Sequence, residues 1–220
     1  MTPRHLPVAA SVATLCLAAS VAFAAPAKKA PAAPAKAPVV APAAAAVADP
    51  VARTQALIAA FQKVPARVKG VPSDKGFAEL DGFLDFDAIT QDPIRPHLAK
   101  LDAKQRAEYT AKFREVVRLV AYPDTGAFFR SAKVKVGAAR PGNGGLWVDL
   151  DTRSPEDSVD VRVGLLWKSV GGTLKVADLT FDGDSLIRDY QNQFGRILAK
   201  EGAVGLLKRL EDKRAELGRK

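Results

Sequence analysis

The sequence predicts an α+β fold in which helices pack on one face of an antiparallel sheet of about four strands. Apolar residues recur at helical spacing through residues 50–123 and again through 186–217. Between these regions, residues 131–181 alternate apolar and polar side chains, which is typical of half-buried strands. The alternating segments are joined by short turns rich in Gly, Pro and Asn, so neighbouring strands are expected to pair antiparallel. Helices gathered on one side of such a sheet form the α+β class.

Three segments of the first half have the pattern of helices. VARTQALIAAFQKV has an apolar face formed by Leu57, Ile58, Phe61 and Val64. GFAELDGFLDFDAIT is a broken apolar stretch that predicts short helices. DAKQRAEYTAKFREVVRLVAYP is the clearest helix, and its Asp102 and Gln105 suit an N-terminal capping box. Its apolar stripe consists of Tyr109, Phe113, Val116, Val117 and Val120. We expect Pro123 to end this helix, because proline disrupts a helix interior.

Four segments of the second half have the alternation of strands. They are SAKVKVG, LWVDLD, SVDVRVGLLWK and TLKVADLTF, and the joins ARPGNGG, TRSPED and SVGG have the composition of loops or turns. In the third segment the residues on one face are Val159, Val161, Val163, Leu165 and Trp167.

Two amphipathic helices are expected after the last strand. The apolar face of the first consists of Leu186, Ile187, Tyr190, Phe194, Ile197 and Leu198. That of the second consists of Ala203, Leu206, Leu207, Leu210 and Leu217.

The N-terminal part of the chain is expected to lie outside this domain. Residues 1–24 have a short polar start, an apolar run and the small-x-small triplet Ala22-Phe23-Ala24, which predicts a cleaved export signal. An uncleaved membrane anchor is the alternative, because the apolar run is close to the length that spans a bilayer. Residues 25–49 are rich in Ala, Pro and Lys and predict an extended linker, either a tail or a tether. Residues 50–220 then form one domain.

Composition excludes several classes of site. Cys16 lies inside the predicted signal, so the mature chain would have no disulfide, thiol nucleophile or cysteine metal site. His97 is then the single histidine of the domain, which excludes a multi-histidine metal centre. The formal net charge of +9 suits anionic membrane surfaces better than nucleic acid for an exported chain, and it also serves solubility.

Three carboxylates gather in the segment DLTFDGDSLIRDYQNQFGRIL. Asp182, Gly183 and Asp184 lie where a strand gives way to a helix, and Gly183 can take a positive φ. Asp184 or Ser185 can cap the helix, and a buried Asp178 would need a hydrogen-bond donor. These structural roles are favoured over a calcium site or an acid–base pair, for which the ligands and partners are too few.

The same segment resembles the signature of a known family, the MlaC-type periplasmic carriers or toluene-tolerance auxiliary proteins. The matching residues are Lys175, Val176, Asp178, Gly183, Ser185, Leu186, Tyr190, Gln193 and Phe194, whereas Leu174 stands where the family has Trp. The upstream segment FLDFDAI resembles the family's Phe-Asp-Phe region. The helix with Gln105, Arg106, Phe113 and Tyr122 resembles its Gln-Arg-x-x-Phe helix, with Tyr109 in place of the first Phe.

The resemblance implies a cone-like fold, similar to nuclear transport factor 2, whose helices and curved sheet enclose an apolar pocket. It implies a carrier without cofactor or enzymatic activity. Such carriers hold phospholipid and exchange it across the periplasm between an outer-membrane lipoprotein–porin complex and an inner-membrane ABC transporter with a lipid-binding ring. They are expected to act as monomers and to maintain the lipid asymmetry of the outer membrane.

Under this resemblance, the apolar faces of strands and helices would line a lipid pocket. The predicted lining is Phe113, Val117, Val134, Val136, Val148, Leu150, Val161, Val163, Leu165, Leu186, Tyr190, Phe194 and Ile197. Periodicity alone does not separate such a lining from an ordinary filled core, which is the alternative at each position. Basic residues at the mouth would meet phosphate, and the candidates are Lys133, Lys135, Arg162 and Lys175.

Three other functions remain open at the level of sequence. A carrier of another lipid, such as a hopanoid, would need a wider pocket for a rigid polycyclic ligand. An enzyme on a similar fold would need a polar constellation in the pocket, for example His97 or Asp178 facing it. A structural envelope protein would have a solid core.

Overall fold

The computed structural model describes residues 49–65, 74, 76–154 and 160–219. The predicted signal, the linker up to residue 48 and Val159 lie outside the described residues. The α-helices of this part are α1 (Pro50–Gln62), α2 (Phe77–Asp81), α3 (Phe86–Gln91), α4 (Ala103–Ser131) and α5 (Leu186–Arg219), and a 3-10 helix covers Arg95–Lys100. The strands are β1 (Lys133–Gly142), β2 (Gly145–Arg153), β3 (Asp160–Val170), β4 (Thr173–Phe181) and β5 (Asp184–Ser185).

The strands form one antiparallel sheet in the order β1-β2-β3-β4-β5. The sheet is curved and unclosed, and the predicted α+β class is confirmed. Five strands are present where about four were expected, because the turn after β4 adds the two-residue β5. The predicted loop ARPGNGG is shorter than expected, since β1 runs to Gly142 and only Asn143 and Gly144, at φ 52° and 72°, form the turn.

The helices α1, α4 and α5 pack on one face of this sheet. That face is built by period-two alternation, so Val148 and Leu150 of β2 and Val163 and Leu165 of β3 join the hydrophobic core with the helices. Trp167 also faces α1, because its indole N–H donates to the Thr54 hydroxyl at 2.9 Å. The β3–β4 register shifts beside Trp167: Leu166 pairs with Asp178, and Trp167 pairs with Val176. The extra residue, Ala177, therefore lies on β4, and β3 keeps its alternation.

The α4 helix confirms one prediction and corrects another. The capping box is present: Gln105 N–H donates to the Asp102 carboxylate at 2.8 Å, and Asp102 N–H donates to the Gln105 side chain at 3.0 Å. The expected end at Pro123 is wrong, because α4 continues to Ser131. Burial of Tyr122, Phe128 and Phe129 on either side of Pro123 stabilises this continuation against the missing proline N–H.

The two predicted C-terminal helices are confirmed as two pieces of α5. Gly202, at φ 67° and ψ −173°, breaks the helix between them. The predicted faces are buried, apart from the half-buried Leu186 and Ile187 at the start. Ion pairs tie the second piece to α4: Lys112 to Glu211 at 3.0 Å and Arg214 to Glu115 at 3.1 Å. None of the described helices is long and apolar enough to cross a membrane.

Candidate functional site

An apolar cavity of about 140 Å³ lies between the helices and the sheet. The α1 helix, the second half of α4, the start of α5 and strands β3 and β4 surround it. Its lining is Leu57, Ile58, Phe61, Leu84, Ile89, Val117, Val120, Ala121, Tyr122, Asp124, Thr125, Phe128, Phe129, Val161, Val163, Leu165, Val176, Leu179, Phe181, Leu186 and Tyr190. A space with walls of this kind can hold hydrocarbon, because it offers few polar groups that would retain water.

The structure divides the residues predicted as a lining into two groups. Six of them line this cavity: Val117, Val161, Val163, Leu165, Leu186 and Tyr190. The other seven lie outside its wall. Phe113, Val148, Leu150, Phe194 and Ile197 are buried in the packed core, and Val134 and Val136 are half-buried on β1 against that core. Whether lipid reaches this second group stays a prediction.

Sequence reasoning missed the part of the wall that comes from α1 and from the end of α4. Leu57 and Phe61 were predicted as an apolar helix face but not as cavity residues. Phe128 and Phe129 were missed because the helix was expected to end at Pro123. The spacing of Val120, Asp124 and Phe128, one turn apart on a continuing helix, was a usable signal.

An aromatic cluster closes the inner side of the cavity. Tyr190, which lines the cavity, lies 5.0 Å from Phe113 and 5.5 Å from Phe194 between ring centroids. Phe113 and Phe194 are 5.1 Å apart, and Tyr109 stacks on Phe113 at 5.5 Å. Edge-to-face and stacked pairs at these distances are mutually attractive. The cluster therefore separates the cavity from the solid core around the first half of α4.

Two buried tyrosine hydroxyls near the cavity differ in their partners. The Tyr122 hydroxyl donates to the Asp81 carboxylate at 2.7 Å, and burial together with this bond raises the pKa of Tyr122. Arg118 and Arg114 lie 3.3 Å and 3.6 Å from the same carboxylate. The Tyr109 hydroxyl has no hydrogen-bond partner among the described residues, and burial raises its pKa. Neither tyrosine is thus suited to give up its proton near neutral pH.

The acids after β4 have structural partners. Asp178 accepts from the Ser185 hydroxyl at 2.7 Å and from the Leu179 N–H at 2.8 Å, which ties β4 to the start of α5. Burial raises the pKa of Asp178, and these hydrogen bonds oppose the rise. Ser185 in turn accepts the Arg188 N–H at 3.2 Å, so it caps α5 as expected.

The turn residues complete this arrangement. Asp182, at φ 50°, accepts the Arg162 N–H at 3.0 Å, and Gly183 takes φ 94°. Exposed Asp184 pairs with Arg188 at 3.1 Å. None of these acids lines the apolar cavity, and neither does His97, whose Nε2 lies 3.0 Å from the Gln191 carbonyl oxygen. Within the described ranges, no group of three His, Cys, Asp or Glu residues could hold a metal ion.

The basic residues expected at the mouth lie elsewhere. Lys133, Lys135 and Arg162 line a broad polar groove on the opposite face of the sheet, where Arg162 pairs with Asp151 at 3.0 Å. Alternation explains this placement, because Val161 and Val163 line the cavity and Arg162 between them must point away. Lys175 is opposite Lys168 in the β3–β4 register and does not line the cavity.

Comparisons with known proteins agree with this architecture. Among solved structures, the chain is similar to a phospholipid-binding protein from Ralstonia solanacearum in complex with a phospholipid, with 18% identity and a TM-score of 0.60. The match covers 77% of this chain and 99% of the other, and at this identity it shows the fold. No curated protein matches the chain significantly. The MlaC protein family, however, matches residues 55–212, well over half of the chain. The protein therefore belongs to the MlaC family.

Proposed function

We propose that this protein is a non-enzymatic periplasmic carrier that holds the acyl chains of a phospholipid between its sheet and its helices. The observation that carries the proposal is the apolar cavity beside Val161, Val163 and Tyr190 in a chain of the MlaC family. The phospholipid bound to the similar Ralstonia solanacearum protein supports the choice of ligand. In this proposal, residues 1–24 direct export, and residues 25–49 connect to a lipid-binding domain at 50–220.

Transport would run between an outer-membrane lipoprotein–porin complex and an inner-membrane transporter with a lipid-binding ring. Such exchange would maintain the lipid asymmetry of the outer membrane. A carrier must compete with the bilayer for hydrocarbon, since each buried methylene is worth about 0.8 kcal/mol. Moving the roughly 30 methylenes of a two-chain lipid into water would cost more than about 20 kcal/mol of free energy. The wall must therefore be strongly apolar, and most of the cavity lining consists of aliphatic and aromatic side chains.

Lipid loading must enlarge the cavity. Its volume of about 140 Å³ is close to that of an engineered cavity that admits benzene, and ligand pockets for drug-sized molecules span about 300–1,000 Å³. The cavity in this form thus accommodates only a short part of an acyl chain. We infer that loading separates the α4 wall from β3 and displaces Tyr190 from Phe113, which would bring Phe113, Phe194 and Ile197 into the lining.

A cavity-filling variant tests this proposal. Val161 is half-buried on β3 and lines the cavity, so Val161→Trp should fill the space without burying a charge. Arg162→Trp adds the same side chain to the neighbouring position on the opposite, exposed face and is the matched control. Both variants would be purified without detergent, checked for folding by circular dichroism, and extracted for lipid analysis by mass spectrometry.

The expected result is phospholipid with the wild type and with Arg162→Trp, and little or none with Val161→Trp. Equal lipid content in all three proteins would contradict the proposed site. A hopanoid or another lipid in the extracts would replace phospholipid as the cargo. Lipid-free wild type would favour a structural envelope protein.

A further inference from the structure

A cluster of exposed cations lies at the end of the molecule where α4 begins. It consists of Lys100 at the end of the 3-10 helix, Lys104 in the first turn of α4, and Arg196 and Lys200 one turn apart on α5. We call these four residues the basic end.

Packing between the 3-10 helix and α5 brings the two halves of the basic end together. The His97 ring lies against Gly195, where an added Cβ would be 2.9 Å from ring atoms. Side chains three residues apart align in a 3-10 helix, so Lys100 follows His97 along the same side. Arg106 fixes the junction with α4 by donating to the carbonyls of Leu98 at 2.9 Å and Leu101 at 3.0 Å.

Nearby acids offset only part of the charge of the basic end. No ion pair involves any of its four cations in the part of the chain that the structure describes. The neighbouring carboxylates have other partners: Asp92 pairs with Arg95, Asp102 caps α4, Glu108 pairs with Lys112, and Glu201 pairs with Arg209. Four cations against the single carboxylate of Asp102, whose described partner is an N–H group, leave the basic end with a net positive charge.

An exposed apolar side chain follows the cations on α5. Val204 lies two residues after the Gly202 break and is 72% exposed, the more exposed of the two large apolar side chains that the described chain leaves in solvent. Cations beside an exposed apolar group match the interface of a bilayer, where lysine and arginine meet head groups and an apolar side chain enters the acyl boundary.

We propose that the basic end is a docking surface for anionic bilayers. It does not overlap the cavity wall. Lys104 lies in the first turn of α4, about 20 Å along the axis from Val117, where the cavity wall on that helix begins. On α5, Arg196 lies about 9 Å along the axis from the cavity residue Tyr190, but its side chain is exposed. A protein docked in this way would hold its cavity away from the head groups until a partner opened it. The docking requires no bound cargo.

The expected strength follows from the charge count. Each lysine or arginine near an anionic surface changes membrane partitioning about fivefold, so removing two cations should weaken binding about 25-fold. The attraction should also weaken as salt shortens the Debye length.

Vesicle sedimentation with the full chain tests the proposal. Wild type should sediment with vesicles of phosphatidylcholine and phosphatidylglycerol, but not with phosphatidylcholine alone, and added salt should release it. Arg196→Gln/Lys200→Gln should bind about 25-fold more weakly. The matched control is Lys63→Gln/Arg153→Gln, which removes two exposed charges near the other end of α4 and should bind nearly as wild type.

The lysines in residues 25–49 are present in every variant, so their contribution to vesicle binding is the same in all of them. If the two double variants lost vesicle binding equally, binding would depend only on the net charge of the protein, and the proposal would be overturned. Undiminished binding of Arg196→Gln/Lys200→Gln would overturn it as well. Because Arg196→Gln/Lys200→Gln should keep its extracted lipid, loss of docking is distinguishable from loss of cargo.

Discussion

Tyr109 and Tyr122 place two hydroxyl groups in the interior from the same helix, yet only one has a described partner. Both side chains are fully buried, at 0% exposure. The Tyr122 hydroxyl donates to the Asp81 carboxylate, whereas that of Tyr109 donates to no described residue. A buried hydroxyl without a hydrogen bond carries a desolvation penalty, and one bonded to a carboxylate contributes to stability.

Removing these two hydroxyls should therefore change stability in opposite directions. We expect Tyr122→Phe to lower the free energy of unfolding by about 2 kcal/mol, since a hydrogen bond to a charged group is lost. Tyr109→Phe should leave it unchanged or raise it by about 1 kcal/mol, since an unsatisfied group is removed. Urea denaturation followed by circular dichroism measures both. If Tyr109→Phe lowered the free energy of unfolding as much as Tyr122→Phe, the Tyr109 hydroxyl would have a stabilising partner.

Residue roles were predictable where local chemistry decides them. The structural role of Asp178, the capping by Ser185 and the capping box of Asp102 followed from short-range spacing. The placement of Phe113 and Phe194 did not, because an apolar helix face looks the same in sequence whether it borders a cavity or fills a core. That distinction depends on how closely two elements approach, which periodicity does not encode.

At the scale of elements, α4 shows why a local signal can be overridden. Pro123 removes one helical hydrogen bond, which costs about 3 kcal/mol in an isolated helix. Here the residues after Pro123 bury Phe128 and Phe129 beside α1, and each such side chain contributes about 1.5–3 kcal/mol. Tertiary burial thus outweighs the proline penalty. The strands were more predictable, because one-sided burial fixes both their alternation and their register.

The crossing of α1 and α4 depends on Gly126. A Cβ built there would lie 2.7 Å from the Phe61 carbonyl oxygen and 3.3 Å from the Val64 Cβ, so the two helices must move apart for any other residue. We expect Gly126→Ala to lower the free energy of unfolding by about 1–3 kcal/mol through overpacking.

The neighbouring exposed position provides the control. Ala127→Gly should itself lower the free energy of unfolding by about 1 kcal/mol, because alanine is the better helix former where nothing is crowded. Urea denaturation compares the two variants. A Gly126→Ala protein as stable as wild type would show that the helices do not need this close approach.

At the scale of the whole molecule, the fold class and the antiparallel sheet could be predicted from sequence, and the cavity could not. The alternation in residues 131–181 and the apolar stripes of the helices are enough to predict a layer of helices packed on a sheet. The cavity arises because α4 extends past its predicted end and because β3 and the start of α5 leave a gap around Tyr190. The family resemblance indicated a pocket, but its position required the arrangement of the helices.

The proposed carrier function requires that the protein hold lipid. The most direct measurement is native mass spectrometry of the chain purified from the periplasm without detergent, with lipid extraction of the same sample. We predict a complex whose mass exceeds that of the polypeptide by one phospholipid, confirmed in the extract. A bare polypeptide mass, with no uptake from anionic liposomes, would contradict the carrier function and leave the apolar faces as ordinary core.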